Sequence, residues 1–404
     1  MIKSVPLIRL FFKWLFLICA ISGLVGLLSA AFLYALNEVT LFRETHRWII
    51  LLLPFAGMCI VWWYQRYGGG AQKGNNLLLE EYYNPTTPGI PGKMAPMIIL
   101  TTLMTHLFGG SAGREGTAVQ YGGAIAAQFN KFVPLGKQDK RILLLCGIAS
   151  GFASLFGTPL AGAIFAIEMV QLGKIRWRGI VAILATALLS NWVCTLYGDL
   201  HTHYPPIGEV PSWSFPIVAY LLLAGSLFGL ASILFRYTGD IFSIGFKKIK
   251  QPLLRPFIGG ILVILTVFLL QTTKHIGLGI STIIAAFQQP LPPTDFLIKI
   301  GLTALTLSAG FKGGEVTPLF FIGATLGNAL APFIPLPMAL LAATGFVSVF
   351  AGCTKTPIAC TVMAIELFGW QYGLFFLITC LISYVVSGKK GIYSAQRIKN
   401  FKLF

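Results

Sequence analysis

The chain has 404 residues, of which 56% are hydrophobic and only 11% are charged, and its mean hydropathy is +0.78. A water-soluble domain of this length needs far more polar surface, so the composition excludes that class and indicates a polytopic membrane protein. The formal net charge of +17 leaves open whether the excess of basic residues serves nucleic-acid binding or membrane topology.

Apolar stretches recur along the chain at lengths that can cross all or part of a bilayer. The longer ones are 14–33, 48–63, 94–108, 180–196, 217–235, 257–270 and 373–386. Two shorter stretches, Pro159–Val170 and Pro357–Phe368, begin at proline. We predict half-depth helices there, because a bilayer tolerates them where protein or water satisfies the free backbone groups. The predicted fold class is an all-α polytopic membrane protein with several broken or half-depth helices.

Basic residues cluster at the ends of the apolar stretches. They are Lys3, Arg9 and Lys13, then Lys247, Lys248, Lys250 and Arg255, and finally Lys389, Lys390, Arg397, Lys399 and Lys402. By the positive-inside rule this predicts a multi-pass protein of a bacterial inner or plasma membrane with both termini in the cytoplasm. The runs are short and lie beside the membrane, so no nucleic-acid partner is expected. The seven cysteines form no CxxC pair, which indicates neither a disulfide framework nor a zinc site.

Two long segments of the chain repeat each other. "FASLFGTPLAGAIFAIEM" (152–169) aligns without gaps on "FAGCTKTPIACTVMAIEL" (350–367), and "GREGTAVQYGGA" (113–124) lies over "GGEVTPLFFIGA" (313–324) at nearly the same offset. We therefore predict one transmembrane domain made of two homologous halves, 1–205 and 206–404. Duplication of this size is common in transporters, whose sites lie near the midplane where the halves meet.

Each half brings glycines, one acid and one threonine into an apolar setting: Glu115 with Thr117, and Glu315 with Thr317. Glycine lets a backbone approach a ligand closely, and a helix start favours an anion. Helix starts are predicted at Thr158–Pro159, Thr356–Pro357, Thr317–Pro318 and, less clearly, Asn75–Asn76. Such helix starts would form an anion site that binds weakly enough to release its ion.

The two acids can be functional or structural. An unpaired acid at bilayer depth costs on the order of 3 kcal/mol, and burial favours its protonated form, so it can exchange protons or occupy an anion site as a tethered competitor. The alternative is a pair of structural ion pairs, Glu115 with Arg114 and Glu315 with Lys312. The matched positions of the acids in the two repeats favour function, and spacing alone leaves the pairing open.

Other polar residues fit structural roles better. Glu168 and Glu366 end helical segments, and hydrogen bonding to a buried helix start explains both. His106 lies on an apolar segment as a core histidine, and the His201–His203 pair is a weak metal signal. No HExxH, GxSxG or P-loop motif is present, so no enzyme is predicted. The competing class is an intramembrane enzyme that uses Glu115 and Glu315 as a carboxylate pair.

The motifs together resemble the CLC family of anion channels and anion/proton exchangers over nearly the whole chain. "GREGT" resembles the family's GREGP, whose glutamate is the external gate. "GTPLAGAIFAIEM" resembles its N-x-P-L-A-G segment, with Gly157 in place of the asparagine. "GGEVTP" stands at the place of G-x-F-x-P, and "IYSAQ" (392–396) resembles the helix start whose tyrosine reaches the central anion.

The departures from the chloride-type pattern resemble the fluoride-exporting branch, CLC-F. This chain has "GNNLL" (74–78) instead of GSGIP, Thr117 instead of proline, and Val316 where phenylalanine is usual. The second acid of proton-coupled chloride exchangers is replaced by Met169, and Glu315 is the obvious substitute. The resemblance implies one-for-one exchange of fluoride for protons, driven by the proton gradient without a cofactor.

The resemblance also implies roles for individual residues. Glu115 would gate the pathway and transfer protons, and Glu315 with Thr317 would form the coupling site and anion path. The implied anion-binding residues are Asn75, Asn76, Tyr393, Val316, Gly113 and Gly314, with gap-free placement favouring Asn75 over Asn76. A homodimer with one pore per subunit is implied as well, and no appended cytoplasmic regulatory domain is expected. The alternative function is a chloride-selective exchanger or a passive anion channel of the same fold.

Overall fold

The structure is a computed structural model that describes residues 5–85, 89–170 and 177–397 of the chain. Within these residues it contains sixteen α-helices and no strand longer than a single bridge. The helices are α1 (Val5–Thr45), α2 (Leu53–Trp63), α3 (Asn75–Tyr83), α4 (Met94–Leu107), α5 (Glu115–Gln128), α6 (Lys137–Phe156), α7 (Pro159–Val170), α8 (Trp177–Thr195), α9 (Phe215–Lys247), α10 (Leu254–Leu270), α11 (Ile280–Gln288), α12 (Asp295–Ala309), α13 (Val316–Leu330), α14 (Met338–Thr354), α15 (Pro357–Phe368) and α16 (Gly373–Val386). The predicted all-α class is confirmed.

The helices differ widely in length. Among the described residues, three helical segments, 9–45, 47–73 and 215–247, are long and apolar enough to cross a membrane. The predicted apolar stretch 48–63 lies within the second of these segments, which starts as a 3-10 helix at Arg47–Leu52 and continues as α2 from Leu53. Pro54 stands in the first turn of α2, where its missing N–H leaves no intrahelical hydrogen bond unmade.

The half-depth helices are confirmed with the predicted bounds. α7 and α15 each have 12 residues, which is about 18 Å of helix against a hydrocarbon core of about 30 Å. The two helices pack against each other, and Ala161 and Ala359 in their first turns are buried, whereas Leu160 and Ile358 are exposed. Backbone N–H groups at these starts therefore need protein acceptors.

The acceptors at these two starts are carboxylates from the opposite helix. Glu366 of α15 accepts hydrogen bonds from the N–H groups of Leu160 and Ala161, at 2.9 and 2.8 Å. Glu168 of α7 accepts the equivalent bonds from Ile358 and Ala359, at 3.1 and 2.8 Å. The structural interpretation of both acids is confirmed.

The threonines that precede these prolines do not cap the helices. Thr356 occupies the N-cap position of α15, but its hydroxyl is bonded to that of Thr354 at 2.7 Å. The hydroxyl of Thr158 is buried and has no partner among the described residues. The predicted helix starts at Thr158–Pro159 and Thr356–Pro357 are confirmed, but the glutamates from the opposite helix, and not the threonine hydroxyls, accept the free N–H groups.

Replacing Glu168 with alanine is expected to destabilise the protein by about 1–2 kcal/mol, because two buried N–H groups lose their acceptor. Thermal melting of the purified protein measures this as a lower Tm, with the exposed Glu209→Ala as control. An unchanged Tm would contradict this structural role of Glu168.

Two helix pairs cross with their backbones in contact. A Cβ on Gly122 of α5 would lie 2.2 Å from the carbonyl oxygen of Gly147 in α6, and one on Gly323 of α13 would lie 2.0 Å from that of Gly345 in α14. No side chain fits at such distances, so small residues set these crossings. The crossings hold the starts of α5 and α13, which carry the two acidic motifs.

Candidate functional site

The two acidic motifs meet as a pair of crossed loops. Gly113 and Gly314 form an antiparallel bridge, in which each N–H donates to the other's carbonyl, at 2.6 and 2.7 Å. A Cβ on Gly113 would lie 2.8 Å from Cδ of Pro318, and one on Gly314 would lie 2.6 Å from the nitrogen of Gly116. Only glycine permits this approach, and it brings the starts of α5 and α13 together.

The Glu115 carboxylate lies on the start of α13. Its side chain is 1% exposed. The Thr317 hydroxyl lies 2.7 Å from both carboxylate oxygens, and the Thr317 N–H donates to Oε2 at 3.0 Å. The backbone N–H of Arg114 adds a hydrogen bond of 3.2 Å. The Glu115 carboxylate therefore occupies a site formed by the hydroxyl and N–H donors of Thr317, at the positive end of α13.

The start of α13 differs from the predicted one. The helix begins at Val316 with Glu315 at the N-cap position, so Thr317 is its second residue and Pro318 its third. The prediction that Thr317 caps the helix at Pro318 is therefore wrong. Because it lies inside the first turn, Thr317 can offer both its N–H and its hydroxyl to the same carboxylate.

The proposed ion pair between Arg114 and Glu115 exists beside these hydrogen bonds. Nε of Arg114 is 3.6 Å from Oε1 of Glu115, and the guanidinium also donates to the hydroxyl of Thr202 at 3.1 Å. Thr202 lies in the connection between α8 and α9, whose His201 packs its ring against Gly157. Thr202 therefore helps to orient Arg114 at the crossed loops, and nothing in the sequence indicated this contact.

A second polar region adjoins the crossed loops as a cavity of about 180 Å³. Its lining includes Gly74, Asn75, Asn76, Gln120, Lys312, Glu315 and Tyr393. A Cβ on Gly116 would lie 3.3 Å from the Asn75 amide nitrogen and 3.7 Å from a Glu315 carboxylate oxygen. The carboxylate of Glu315 and the amide of Asn75 therefore lie beside the same residue, next to the start of α5.

The alternative ion pair between Glu315 and Lys312 is absent from the described part of the chain, where no cation lies within 4 Å of the Glu315 carboxylate. The Lys312 ammonium instead lies 4.4 Å from the ring centroid of Tyr64, as a cation–π contact. Glu315 thus lines a polar cavity without a close counter-ion, which distinguishes it from Glu115.

The two asparagines have different surroundings. α3 begins at Asn75 as predicted. The side-chain amide oxygen of Asn75, Oδ1, is buried and has no hydrogen-bond partner among the described residues. Asn76 accepts a hydrogen bond of 3.0 Å from the N–H of Ala395, which fastens α3 to the segment that carries Tyr393. Tyr393 is buried and lines the same cavity. Asn75 therefore retains free hydrogen-bonding capacity beside Tyr393, whereas the Asn76 oxygen has a partner.

Residues 55–388 match the family described as "Voltage gated chloride channel". This chain belongs to the CLC family. It is 44% identical to the "Chloride/fluoride channel protein" of Pseudomonas syringae pv. tomato, over 96% of this chain and 87% of that protein. It is 28% identical to the "Putative chloride channel protein ClcB-like" of Ralstonia nicotianae, over 74% of each chain.

Solved structures of CLC proteins share this fold. The crystal structure of a CLC-type fluoride/proton antiporter matches with a TM-score of 0.92 and 36% identity, over 96% of this chain and 98% of that one. A slow cyanobacterial Cl⁻/H⁺ antiporter matches with a TM-score of 0.80 and 20% identity, over 94% and 96% of the two chains. The second likeness bears on the fold alone.

The structure also gives contacts for the other residues that the sequence singled out in this CLC protein. Val316 is buried in the first turn of α13, and the Thr117 hydroxyl is 2.7 Å from that of Thr102 in α4 instead of facing the acids. His106 is fully buried with Nε2 3.4 Å from the carbonyl oxygen of Gly113, which confirms a core histidine. His203 pairs with Asp199 at 2.8 Å.

Gln120 is a second residue that sequence reasoning missed in this CLC protein. It lies in α5, five residues after Glu115, and its side-chain amide packs beside Gly74 at the cavity. Gln120 interrupts the small and apolar residues in the middle of α5, and this was the available signal. Only its position next to Gly74 relates it to Asn75 and Glu315.

Proposed function

We propose that this CLC protein is a fluoride/proton antiporter that exports fluoride from the cytoplasm in exchange for protons. The observation that carries the proposal is the Glu115 carboxylate, which lies against the hydroxyl and N–H of Thr317 at the start of α13. The same donors suit a small anion. The resemblance to a fluoride/proton antiporter over nearly the whole of both chains supports the same reading.

In this proposal Glu115 is both gate and proton carrier. While it is ionised, its carboxylate occupies the donors of Thr317 and blocks an anion. Protonation removes its charge, weakens its hold on the helix start and lets an anion bind there. The gate therefore opens when it takes up a proton, which couples the two ions.

Glu315 is proposed as the second carboxyl of the proton route and as part of the anion path. It lines the cavity that Asn75 and Tyr393 share, beside the start of α5. A protonated Glu315 can donate a hydrogen bond to an anion, whereas an ionised one repels it. Loading and unloading of protons at this position would thus control entry of the anion.

Fluoride suits this set of donors for a physical reason. It is small and strongly hydrated, so removing its water requires close, strong donors in its place. The Asn75 amide, the Thr317 hydroxyl and the Tyr393 hydroxyl are such groups. A larger anion with lower charge density gains less from the same concentration of donors.

The wider architecture belongs to the proposal too. We infer two homologous halves, 1–205 and 206–404, because each supplies a half-depth helix capped by the other's glutamate and a loop that crosses the other's. The protein is proposed to be a homodimer with one pore per subunit, in a bacterial cell membrane with both termini in the cytoplasm. The basic clusters beside the apolar stretches support this orientation.

Flux from liposomes tests the function directly. Purified protein in vesicles loaded with fluoride or with chloride is followed by anion efflux and by external pH. We expect fluoride efflux with stoichiometric proton uptake, and much slower chloride efflux. Fluoride movement without protons would favour a passive channel, and equal chloride movement would favour a chloride-type exchanger.

A further inference from the structure

A second and larger cavity lies outside the site described above, at the end of α1 opposite the N-terminus. Its volume is about 400 Å³. It is enclosed by the last turns of α1, the 3-10 helix Arg47–Leu52 and the connection between α10 and α11. Its polar lining consists of Thr40, Arg43, Glu44, Arg47, Thr272, Thr273, Lys274 and Ser281. Cations and hydroxyl donors thus outnumber the single acid around it.

Arg43 is the buried cation of this cavity and lacks a matching buried anion. It is 8% exposed, and its guanidinium donates to the carbonyl oxygen of His106 at 3.0 Å. Its only acidic neighbour within 4 Å, among the described residues, is the exposed Glu44 at 3.6 Å. Burying a charge without a partner is costly, so an anion in the cavity would stabilise this arrangement.

The residues behind Arg43 do not supply that anion. Asp295 is the buried acid of this region, and its carboxylate is taken by Lys274 at 2.8 Å and His275 at 3.0 Å. The fully buried Lys299 donates to the carbonyl oxygens of His275 and Gly277, at 3.0 and 2.8 Å. Positive charge therefore exceeds negative charge around the cavity. Backbone carbonyl oxygens offset part of the positive charge on Arg43 and Lys299.

The surface beside the cavity is apolar and suits lipid. Trp48 and Phe55 are each 60% exposed, and Leu51 is exposed between them on the same turn-and-helix segment that supplies Arg47. Tryptophan is enriched where hydrocarbon meets the polar headgroups of a membrane. A cation pocket at the edge of such a surface therefore suits the boundary between hydrocarbon and headgroups, where lipid phosphates lie.

We propose that this cavity binds the phosphate group of an anionic phospholipid, with Arg43 and Arg47 as its cationic ligands. The fork of guanidinium donors matches phosphate oxygens, and Thr272, Thr273 and Ser281 offer further hydroxyl donors. The acyl chains lie along Trp48, Leu51 and Phe55. The volume is many times that of a bound water and far exceeds the need of a single halide ion.

Native mass spectrometry of the full-length protein tests the site. Wild type is titrated in detergent with phosphatidylglycerol or phosphatidylcholine, and Tm is recorded in parallel. We expect tighter binding of phosphatidylglycerol, with a rise in Tm that phosphatidylcholine does not give. Equal binding of the two lipids by wild type would overturn the proposal.

Charge variants assign the ligands. Arg47 is exposed, so Arg47→Gln keeps the fold and should weaken phosphatidylglycerol binding about fivefold. Arg43→Lys keeps the positive charge but removes the paired guanidinium N–H donors, so it should also weaken phosphatidylglycerol binding. Arg66→Gln, the same change at an exposed arginine beyond the other end of α2, is the matched control and should bind as wild type. Wild-type affinity in Arg47→Gln and Arg43→Lys would contradict the site.

Inorganic phosphate distinguishes the source of the ligand. At matched ionic strength we expect it to raise Tm less than phosphatidylglycerol does, because it lacks the acyl chains that contact Trp48 and Phe55. An equal rise in Tm would overturn the lipid assignment in favour of a free oxyanion. Neither measurement involves transport, so both remain informative if the proposed antiport is wrong.

Discussion

Replacing Glu115 with glutamine is expected to stop proton movement while the protein remains folded. Glutamine has nearly the same shape, and its carbonyl oxygen can still accept from the Thr317 N–H and hydroxyl. It cannot bind or release a proton at any physiological pH. Proton uptake coupled to fluoride efflux should therefore fall by at least about tenfold.

The measurement is external pH and fluoride efflux recorded on the same vesicles. Glu209→Gln, which neutralises an exposed acid in the connection between α8 and α9, is the matched control and should keep wild-type coupling. Unchanged coupling in Glu115→Gln would remove its role as gate and proton carrier. It would leave the contact with Thr317 as a structural cap of α13.

Replacing Glu315 with alanine is expected to reduce fluoride turnover by at least about tenfold with little loss of stability. The carboxylate has no cation within 4 Å among the described residues, so the change breaks no close ion pair. It removes the acid beside Asn75 in the cavity, and with it the second proton position of the proposed route. A residue with a local structural role would lower Tm at least as much as turnover.

Fluoride efflux and Tm of the same preparations decide between these roles. Glu315→Gln serves as the conservative partner, because it keeps the side chain's size and hydrogen-bonding ends but cannot exchange a proton. We expect both variants to elute and melt as wild type and both to lose coupled transport. Parallel loss of expression, Tm and turnover would restore a structural role for Glu315.

Local properties of this chain were readable from its residues. Apolar runs and prolines located α7 and α15 to the residue, because proline cannot donate a backbone hydrogen bond and suits the first turn of a helix. The matching segments around Glu115 and Glu315 marked the two acids, since a carboxylate in an apolar run is costly to keep. The family's motifs then limited the fold to one architecture, which the comparison with solved structures supports.

Partners of these residues came only from the tertiary structure. Sequence placed Arg114 beside Glu115 but gave no sign that Thr317 would bind the same carboxylate or that Thr202 would hold the arginine. It also located the helix starts at Pro159 and Pro357 but gave no sign that glutamates from the opposite helix would accept their free N–H groups.

The physical reason is the range of the interactions involved. Helix starts, breaks and hydrophobic spans depend on neighbours a few residues away, so they can be read along the chain. The hydrogen bonds of Glu115, Glu168 and Glu366 join residues about two hundred positions apart. They form only when the contacts of Gly113 and Gly314 bring α5 and α13 together, and when α7 packs against α15. Composition and motif therefore determined that buried acids exist, and the packing of the helices decided which donors they meet.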